Sequence, residues 1–354
     1  MYIDCQWVKT KDTFDVLKPA TGEKIADVPD GGQDDAATAI AAADRAFPAW
    51  SNLTAYQRSA YLYRAYQIMM ERKEDLARTM TEEQGKPLRA ARNEVQYGAD
   101  FLLWYAEEAK RVYGETIPAP RADQRFIVLH QPVGVVAAVT PWNYPVSMIT
   151  RKVAPALAAG CTIVLKPAEA TPLCAIEIFK ILAEAEIPAG VANLVTAADP
   201  KPIGKVFVTN PAVRKITFTG STGVGKMLAQ GAADQMKRIS LELGGHAPFL
   251  VFDDANPQYA AKGAALVKFL NTGQACISPN RIFVHKSIVE PFTEEFVSRV
   301  TRLRRGTGME DGVSIGPLVN QSAVDKVEGH VNYGVEIGAT VGCVGHRMID
   351  DGLD

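Results

Sequence analysis

Cys276 stands just past a Thr272-Gly273 break, in the run Leu270-Asn271-Thr272-Gly273-Gln274-Ala275-Cys276-Ile277-Ser278-Pro279. An amphipathic pattern stops there, and a strand-like run from Arg281 to Val284 has yet to begin. A thiol on such a connection is expected to be partly exposed, and its thiolate attacks a carbonyl carbon well. Upstream lies Glu242, a carboxylate between an apolar run and two glycines, in Leu241-Glu242-Leu243-Gly244-Gly245. Asn143, in Pro141-Trp142-Asn143-Tyr144-Pro145, adds an amide donor. Nucleophile, base and donor are the parts that conversion of an aldehyde into an acid requires.

A second group of residues could hold phosphate. The strand-like Lys215 to Thr219 runs straight into Gly220-Ser221-Thr222-Gly223-Val224-Gly225-Lys226-Met227. A strand that opens through glycines into a helix offers free N–H groups and a positive helix end. The spacing is nearly that of a P-loop, but Met227 stands where that motif needs a serine or threonine to hold magnesium. Phosphoryl transfer is therefore disfavoured. The Gly-x-Gly-x-x-Gly pattern is incomplete as well, because Leu228 fills the third glycine position. Alone, the loop is read equally well as a dinucleotide cradle or as a plain tight turn.

Val164-Leu165-Lys166-Pro167-Ala168-Glu169 ends another predicted strand, at the edge where parallel sheets collect ligands. Lys166 can donate to ribose hydroxyls or phosphate, and Glu169 can accept from a ribose 2′-hydroxyl. A carboxylate there repels a 2′-phosphate, which favours NAD over NADP. The plainer alternative is a solvated loop pair.

The elements that must position these residues fall into two styles. The first third reads helical after a short extended start, with helices over 34–47, 56–83 and 88–113. Pro118 and Pro120 end it, and 125–131 alternates toward a strand that could form a hairpin arm. From Gly134 short apolar strands alternate with helices. The strands are 135–139, 162–165, 191–195 and 215–219; the helices are 145–159 and 172–185. That alternation predicts a doubly wound parallel sheet of the Rossmann type. After Gly245 come strand 248–252, helix 256–271, strand 281–285 and helix 287–304.

Bulk properties exclude several classes. The chain has 354 residues, 47% of them apolar and 22% charged, which suits a globular protein of two or three domains. A formal charge of −2 without a basic block argues against nucleic acid or a membrane surface as partner. The N-terminus lacks a basic-then-apolar signal pattern, and no run of apolar residues is long enough to span a bilayer. The five cysteines are sparse and unpatterned, which points to the cytoplasm, and no metal-ligand spacing occurs. Cys161 and Cys174 lie in apolar context and read as core.

Taken together, Pro141 to Pro145, Ile149-Thr150-Arg151-Lys152, Lys166 to Glu169, Phe218 to Thr222, Leu241 to Gly245 and Asn271 to Cys276 resemble the aldehyde dehydrogenase superfamily. Within it the chain is similar to the succinate-semialdehyde dehydrogenase-like branch, over essentially its whole length. The resemblance implies an α/β fold with a Rossmann-type NAD-binding domain at 1–114 and 135–243. It also implies an oligomerisation hairpin arm at 115–134 and a catalytic domain at 244–354, with assembly into a homodimer or homotetramer.

By the same match Cys276 looks like the nucleophile and Glu242 like the general base. Asn143 and the Cys276 backbone N–H look like the oxyanion hole. Lys166, Pro167, Ala168 and Glu169 look like the adenosine-ribose contacts, and Gly220, Ser221, Thr222, Gly223, Val224 and Gly225 like the pyrophosphate turn. Trp142 and Leu243 are expected to line the cofactor cleft. NAD is the expected cofactor, with NADP as the alternative, and a small semialdehyde is the expected substrate. Glu242 argues for water, rather than a thiol, as the acyl acceptor.

Two departures from the branch stand out. Arg151 matches the first of two arginines expected to grip a substrate carboxylate, but Leu270 occupies the second position, six residues before Cys276. Ser278 stands where many of that branch carry a second cysteine, which removes a disulfide with Cys276. Family members also continue well beyond Asp354, so the catalytic domain is expected to be incomplete. A catalytically inactive dinucleotide-binding fragment is accordingly the second reading.

Overall fold

The computed structural model describes residues 1–343; the remainder of the expected catalytic domain, 344–354, lies outside the described residues. In chain order the strands are β1 (Tyr2–Ile3), β2 (Gln6–Trp7), β3 (Thr13–Leu17), β4 (Lys24–Pro29), β5 (Glu115–Ile117), β6 (Phe126–Val128) and β7 (Val135–Val139). They continue with β8 (Thr162–Lys166), β9 (Ala192–Leu194), β10 (Val213–Gly220), β11 (Arg238–Leu243), β12 (Pro248–Val251) and β13 (Arg281–Val284). The helices are α1 (Gln33–Ser51), α2 (Ala55–Glu71), α3 (Lys73–Gln84), α4 (Leu88–Glu108), α5 (Ser147–Ala158) and α6 (Pro172–Glu184). After them come α7 (Lys201–Thr209), α8 (Thr222–Ala233), α9 (Pro257–Lys268), α10 (Val289–Thr301) and α11 (Gln321–Glu336).

The chain divides into two compact units, each discontinuous in sequence. The first comprises Met1–Phe14, Asp27–Leu76 and Arg92–Glu242; the second comprises Asp15–Ala26, Ala77–Ala91 and Leu243–Asp354. These units are cut differently from the domains expected above. Residues 15–26 and 77–91 group with the C-terminal part, because they pack there rather than on the neighbours they have in sequence.

The first unit is built on a seven-stranded sheet in the order β11-β10-β7-β8-β9-β1-β2. β10, β7, β8 and β9 run parallel, whereas β1 pairs antiparallel with both β9 and β2. Val135, Ala137, Val164, Val213 and Ile216 form one buried cluster with Ala39, Ile40 and Ala43 of α1 and Ile203, Val206 and Phe207 of α7. Val136 and Ala138, which alternate to the other face, are also buried. Both faces are therefore covered, as continuous apolar strands demand. On that second face α5 is tied to β10 by Lys152, whose Nζ donates to Thr217 Oγ1 at 2.9 Å.

Helix starts follow local chemistry. Thr54 caps α2, and Gln57 returns the bond by accepting from the Thr54 N–H at 2.9 Å. The expected helix over 56–83 is two helices, broken at Arg72 (φ −94°, ψ 16°). No glycine or proline marks that break, so periodicity alone could not find it. The strand expected at 125–131 is β6, which forms an antiparallel hairpin with β5 through the pairs Ile117–Phe126 and Glu115–Val128. Ile117, Phe126, Ile127 and Leu129 on this hairpin are exposed.

In the second unit β12, α9 and β13 form a parallel crossover with full register from Pro248–Arg281 to Val251–Val284. Its small core holds Val251, Ala261, Ala264 and Phe292, and Phe292 stacks on Phe296 with ring centroids 5.9 Å apart. Among the described residues no helix is long and apolar enough to cross a membrane.

Candidate active site

The sheet order creates a switch point. From β7 the chain winds outward to β8 and β9, then returns so that β10 lies on the other side of β7. Ligands of open α/β sheets bind in the crevice at the carboxyl ends of strands at such a point. Sequence-predicted residues of three parallel strands collect there. Trp142 and Asn143 follow β7, Lys166 ends β8 with Glu169 just beyond it, and Gly220 ends β10 with Gly225 in the helix that follows; Glu242 is the penultimate residue of β11, the neighbour of β10.

Each residue of this edge has a local cause. A Cβ on Gly220 would lie 2.4 Å from the Phe218 ring, so only glycine lets the strand turn over its own aromatic. Ser221 then caps α8, its Oγ accepting from the Val224 N–H at 3.4 Å. A Cβ on Gly223 would meet nothing within 4 Å. The first turn of α8 thus offers an open, positively polarised cradle for phosphate.

Lys166 is 2% exposed, and its ammonium meets the Glu169 carboxylate at 3.0 Å, with Glu169 half in solvent. A buried cation beside an outward-facing acceptor suits ribose and phosphate groups. The residues present therefore fit a nicotinamide dinucleotide, on geometry as well as on residue type. Among the described residues no cluster of metal-ligating side chains occurs.

Two residues that the sequence reading left without a role hold this edge together. Glu94 on α4 is 4% exposed, and its Oε1 accepts from the N–H groups of Val146 and Ser147 at 3.0 and 3.1 Å. It caps α5 from a distance, where Val146 offers no side-chain cap. Lys152 is 7% exposed, and its ammonium is pushed down to about 7. Burial is the main cause, and Arg151 and Lys215 act in the same direction; Glu242 pulls the other way. Lys152 belongs to the run Ile149-Thr150-Arg151-Lys152, but periodicity gives no sign that a lysine is buried.

Arg151 sits with its guanidinium 5.5 Å from the Phe101 ring centre, Nη1 donating to Met148 Sδ at 3.7 Å. Glu242 itself is exposed. It lies on β11, an edge strand of the sheet.

In the second unit Cys276 is half-buried in a turn closed by the Ser278 N–H donating to Ala275 O at 3.0 Å. Asn271 and Thr272 before it have φ of 50° and 59°, and Gly273 follows at 79°. A β-branched residue in the left-handed region is strained. The surrounding contacts hold it there. The Gly316 N–H donates to Thr272 Oγ1 at 3.1 Å, and the Val319 N–H donates to Gln274 Oε1 at 3.0 Å. Leu243 also belongs to this unit, and a Cβ on Gly245 would sit 3.7 Å from the Cys276 carbonyl oxygen. Cys161 and Cys174 are buried at 4% and 0% exposure.

Comparison with known proteins defines the class. The chain belongs to the aldehyde dehydrogenase family, whose model matches residues 7–353. It is an NAD(P)-dependent oxidoreductase that acts on aldehydes. It is 52% identical to a probable succinate-semialdehyde dehydrogenase [NADP(+)] of Sinorhizobium fredii, over 97% of this chain and 70% of that protein. It is 50% identical to a 3-sulfolactaldehyde dehydrogenase of Pseudomonas putida, over 98% of this chain and 71% of that protein. The crystal structure of succinate-semialdehyde dehydrogenase from Burkholderia pseudomallei matches with a TM-score of 0.97 at 45% identity, covering 98% of this chain and 72% of that one.

Proposed function

We propose that this protein oxidises a small semialdehyde to its carboxylic acid with Cys276 as nucleophile, Glu242 as general base and Asn143 as oxyanion donor. The observation that carries the proposal is the half-buried Cys276 raised on the strained turn at 271–273. Its thiolate adds to the aldehyde carbon, and the Asn143 amide with the Cys276 backbone N–H takes the developing oxyanion. One such donor is worth about 3 kcal/mol of barrier. Lys166 to Glu169, Gly220 to Gly225, Trp142 and Leu243 would hold the dinucleotide, whose nicotinamide supplies the hydride acceptor when bound. Oxidation leaves a thioester on Cys276. Glu242 then takes a proton from water, and the resulting attack releases the acid and frees the thiol.

The substrate reading rests on Arg151, a cation held against Phe101 rather than against a carboxylate. It can pair with an anionic tail on the aldehyde. Leu270 supplies no second cation. The preference for succinate semialdehyde over uncharged short aldehydes is therefore weak. For the cofactor, the half-exposed Glu169 carboxylate favours NAD over NADP. Free cysteines support a cytoplasmic setting, and the exposed apolar hairpin β5–β6 supports assembly of copies into a dimer or tetramer.

The test is steady-state reduction of NAD and NADP with succinate semialdehyde and with uncharged short aldehydes. Expected are loss of turnover in Cys276→Ala, strong impairment in Glu242→Gln, and an advantage for succinate semialdehyde of less than about tenfold. Full activity of Cys276→Ala would end the proposal.

A further inference from the structure

We propose that Lys268, at the end of α9, is a positioning residue for the Cys276 thiol, tying Ser278 and Asn280 back to the helix so that the turn preceding them, which carries Cys276, holds one orientation. The inference rests on the reading of Cys276 as nucleophile and adds to it a residue outside the reacting groups.

Three bonds carry it. Lys268 Nζ donates to Asn280 Oδ1 at 2.7 Å and to Ser278 Oγ at 3.3 Å. Ser278 Oγ donates in return to the Lys268 carbonyl oxygen at 3.0 Å. The lysine therefore grips the turn with its side chain and its backbone at once. Both side-chain acceptors are neutral oxygens rather than carboxylates. Burial depresses the Lys268 ammonium, so holding charge there costs free energy that the acceptors offset.

The turn is anchored on one side only. Ser278 is 2% exposed and Pro279 is buried, while Ile277 is 58% exposed and Cys276 is half-buried. The clamp holds the buried end of the turn, and Cys276 lies in its more exposed part.

The clamp also continues beyond the turn. A lysine only donates, so the atom of Asn280 facing it is the carbonyl oxygen, and the amide nitrogen points the other way. That nitrogen lies 3.2 Å from His246 Nδ1 and donates to it, which leaves the histidine proton on Nε2. One lysine thereby fixes Ser278, Asn280 and, through Asn280, His246 beside the glycines that follow Glu242. A side chain serving only to pack would have no need of this set of donors and acceptors.

The experiment compares the wild type with Lys268→Met, Lys268→Arg, Ser278→Ala/Asn280→Ala and the Met variant combined with that pair. Two readouts are taken: the iodoacetamide alkylation rate of the Cys276 peptide by mass spectrometry, and kcat and KM for the aldehyde. Misplacement of a reacting atom slows both alkylation and kcat, so Lys268→Met is expected to lose about tenfold in each, with KM changed less than about twofold. The Ser278/Asn280 pair reproduces the loss, Lys268→Met adds nothing on top of it, and Lys268→Arg recovers part of it.

Rates for Lys268→Met within about twofold of wild type, or an undiminished Met effect in the double-variant background, overturn the proposal. Should Lys268→Met fail to fold, unchanged alkylation in Ser278→Ala/Asn280→Ala overturns it equally. Cys276→Ala separates the two readings. Persistent turnover there defeats the nucleophile assignment, while the alkylation comparison still judges Lys268.

Discussion

Lys152 Nζ donates to Thr217 Oγ1 at 2.9 Å, joining α5 to β10 beneath the strand edge that gathers Trp142, Asn143 and Gly220. The lysine is almost wholly buried and meets a hydroxyl rather than a carboxylate, with Glu242 acting on it at longer range.

That burial makes stability depend on pH. Lys152 titrates near 7 in the folded chain, against 10.5 ordinarily. Between those values the unfolded chain binds the proton and the folded chain does not, so stability rises with pH across the interval. The slope from this group approaches about 1.4 kcal/mol per pH unit. Below the folded value the gain is gone. Urea unfolding at several pH values above neutrality should show this slope in wild type and its loss in Lys152→Met; parallel profiles would contradict it.

Glu169 places a half-exposed carboxylate 3.0 Å from the buried Lys166. Glu169→Ser removes the charge that repels a 2′-phosphate and releases Lys166 to meet one. The ratio of kcat/KM for NADP over NAD should rise by about tenfold or more. An unchanged ratio would place cofactor choice elsewhere.

Gly220 has no room for a side chain, because a Cβ would lie 2.4 Å from the Phe218 ring. Gly220→Ala should weaken dinucleotide binding and cost about 1–3 kcal/mol of stability through overpacking. Calorimetric titration with NAD and thermal unfolding read the two effects. Wild-type values of both would show that the ring yields.

Thr272 holds φ 59° while its Oγ1 accepts the Gly316 N–H at 3.1 Å. Thr272→Val keeps the shape and removes the acceptor, leaving that N–H without it. A loss of about 1–3 kcal/mol is expected, with Thr272→Ser close to wild type. Denaturant midpoints check it, and equal loss in both variants would assign the effect to shape rather than to the hydroxyl.

Much of the architecture was legible in residue order. β7 spans the expected Val135–Val139, and α6 and β13 fall within a residue of their expected bounds, since continuous apolar strands and proline-started helices carry strong local signals. α7 and α11 were not read. α7 is only nine residues long, too short to establish a helical period, and α11 exposes Val327, Val331, Tyr333 and Val335. The split of 56–83 into α2 and α3 was also invisible, for lack of a breaker residue.

Chemistry divides along the same line. Residue types singled out Cys276, Glu242 and Asn143 as a nucleophile, a base and a donor, whereas Lys166, Glu169 and the glycine turn read equally as plain loop residues until the family resemblance gave them roles. Tertiary structure alone gathered the ends of β7, β8 and β10 on one edge, since strand order depends on which strands pair and not on their sequence order. It alone buried Lys152 and Glu94, and it alone tied Lys268 to Ser278 and Asn280, next to Cys276. Burial of a charge is a property of its surroundings, contributed by residues distant in the chain, and no local pattern encodes it.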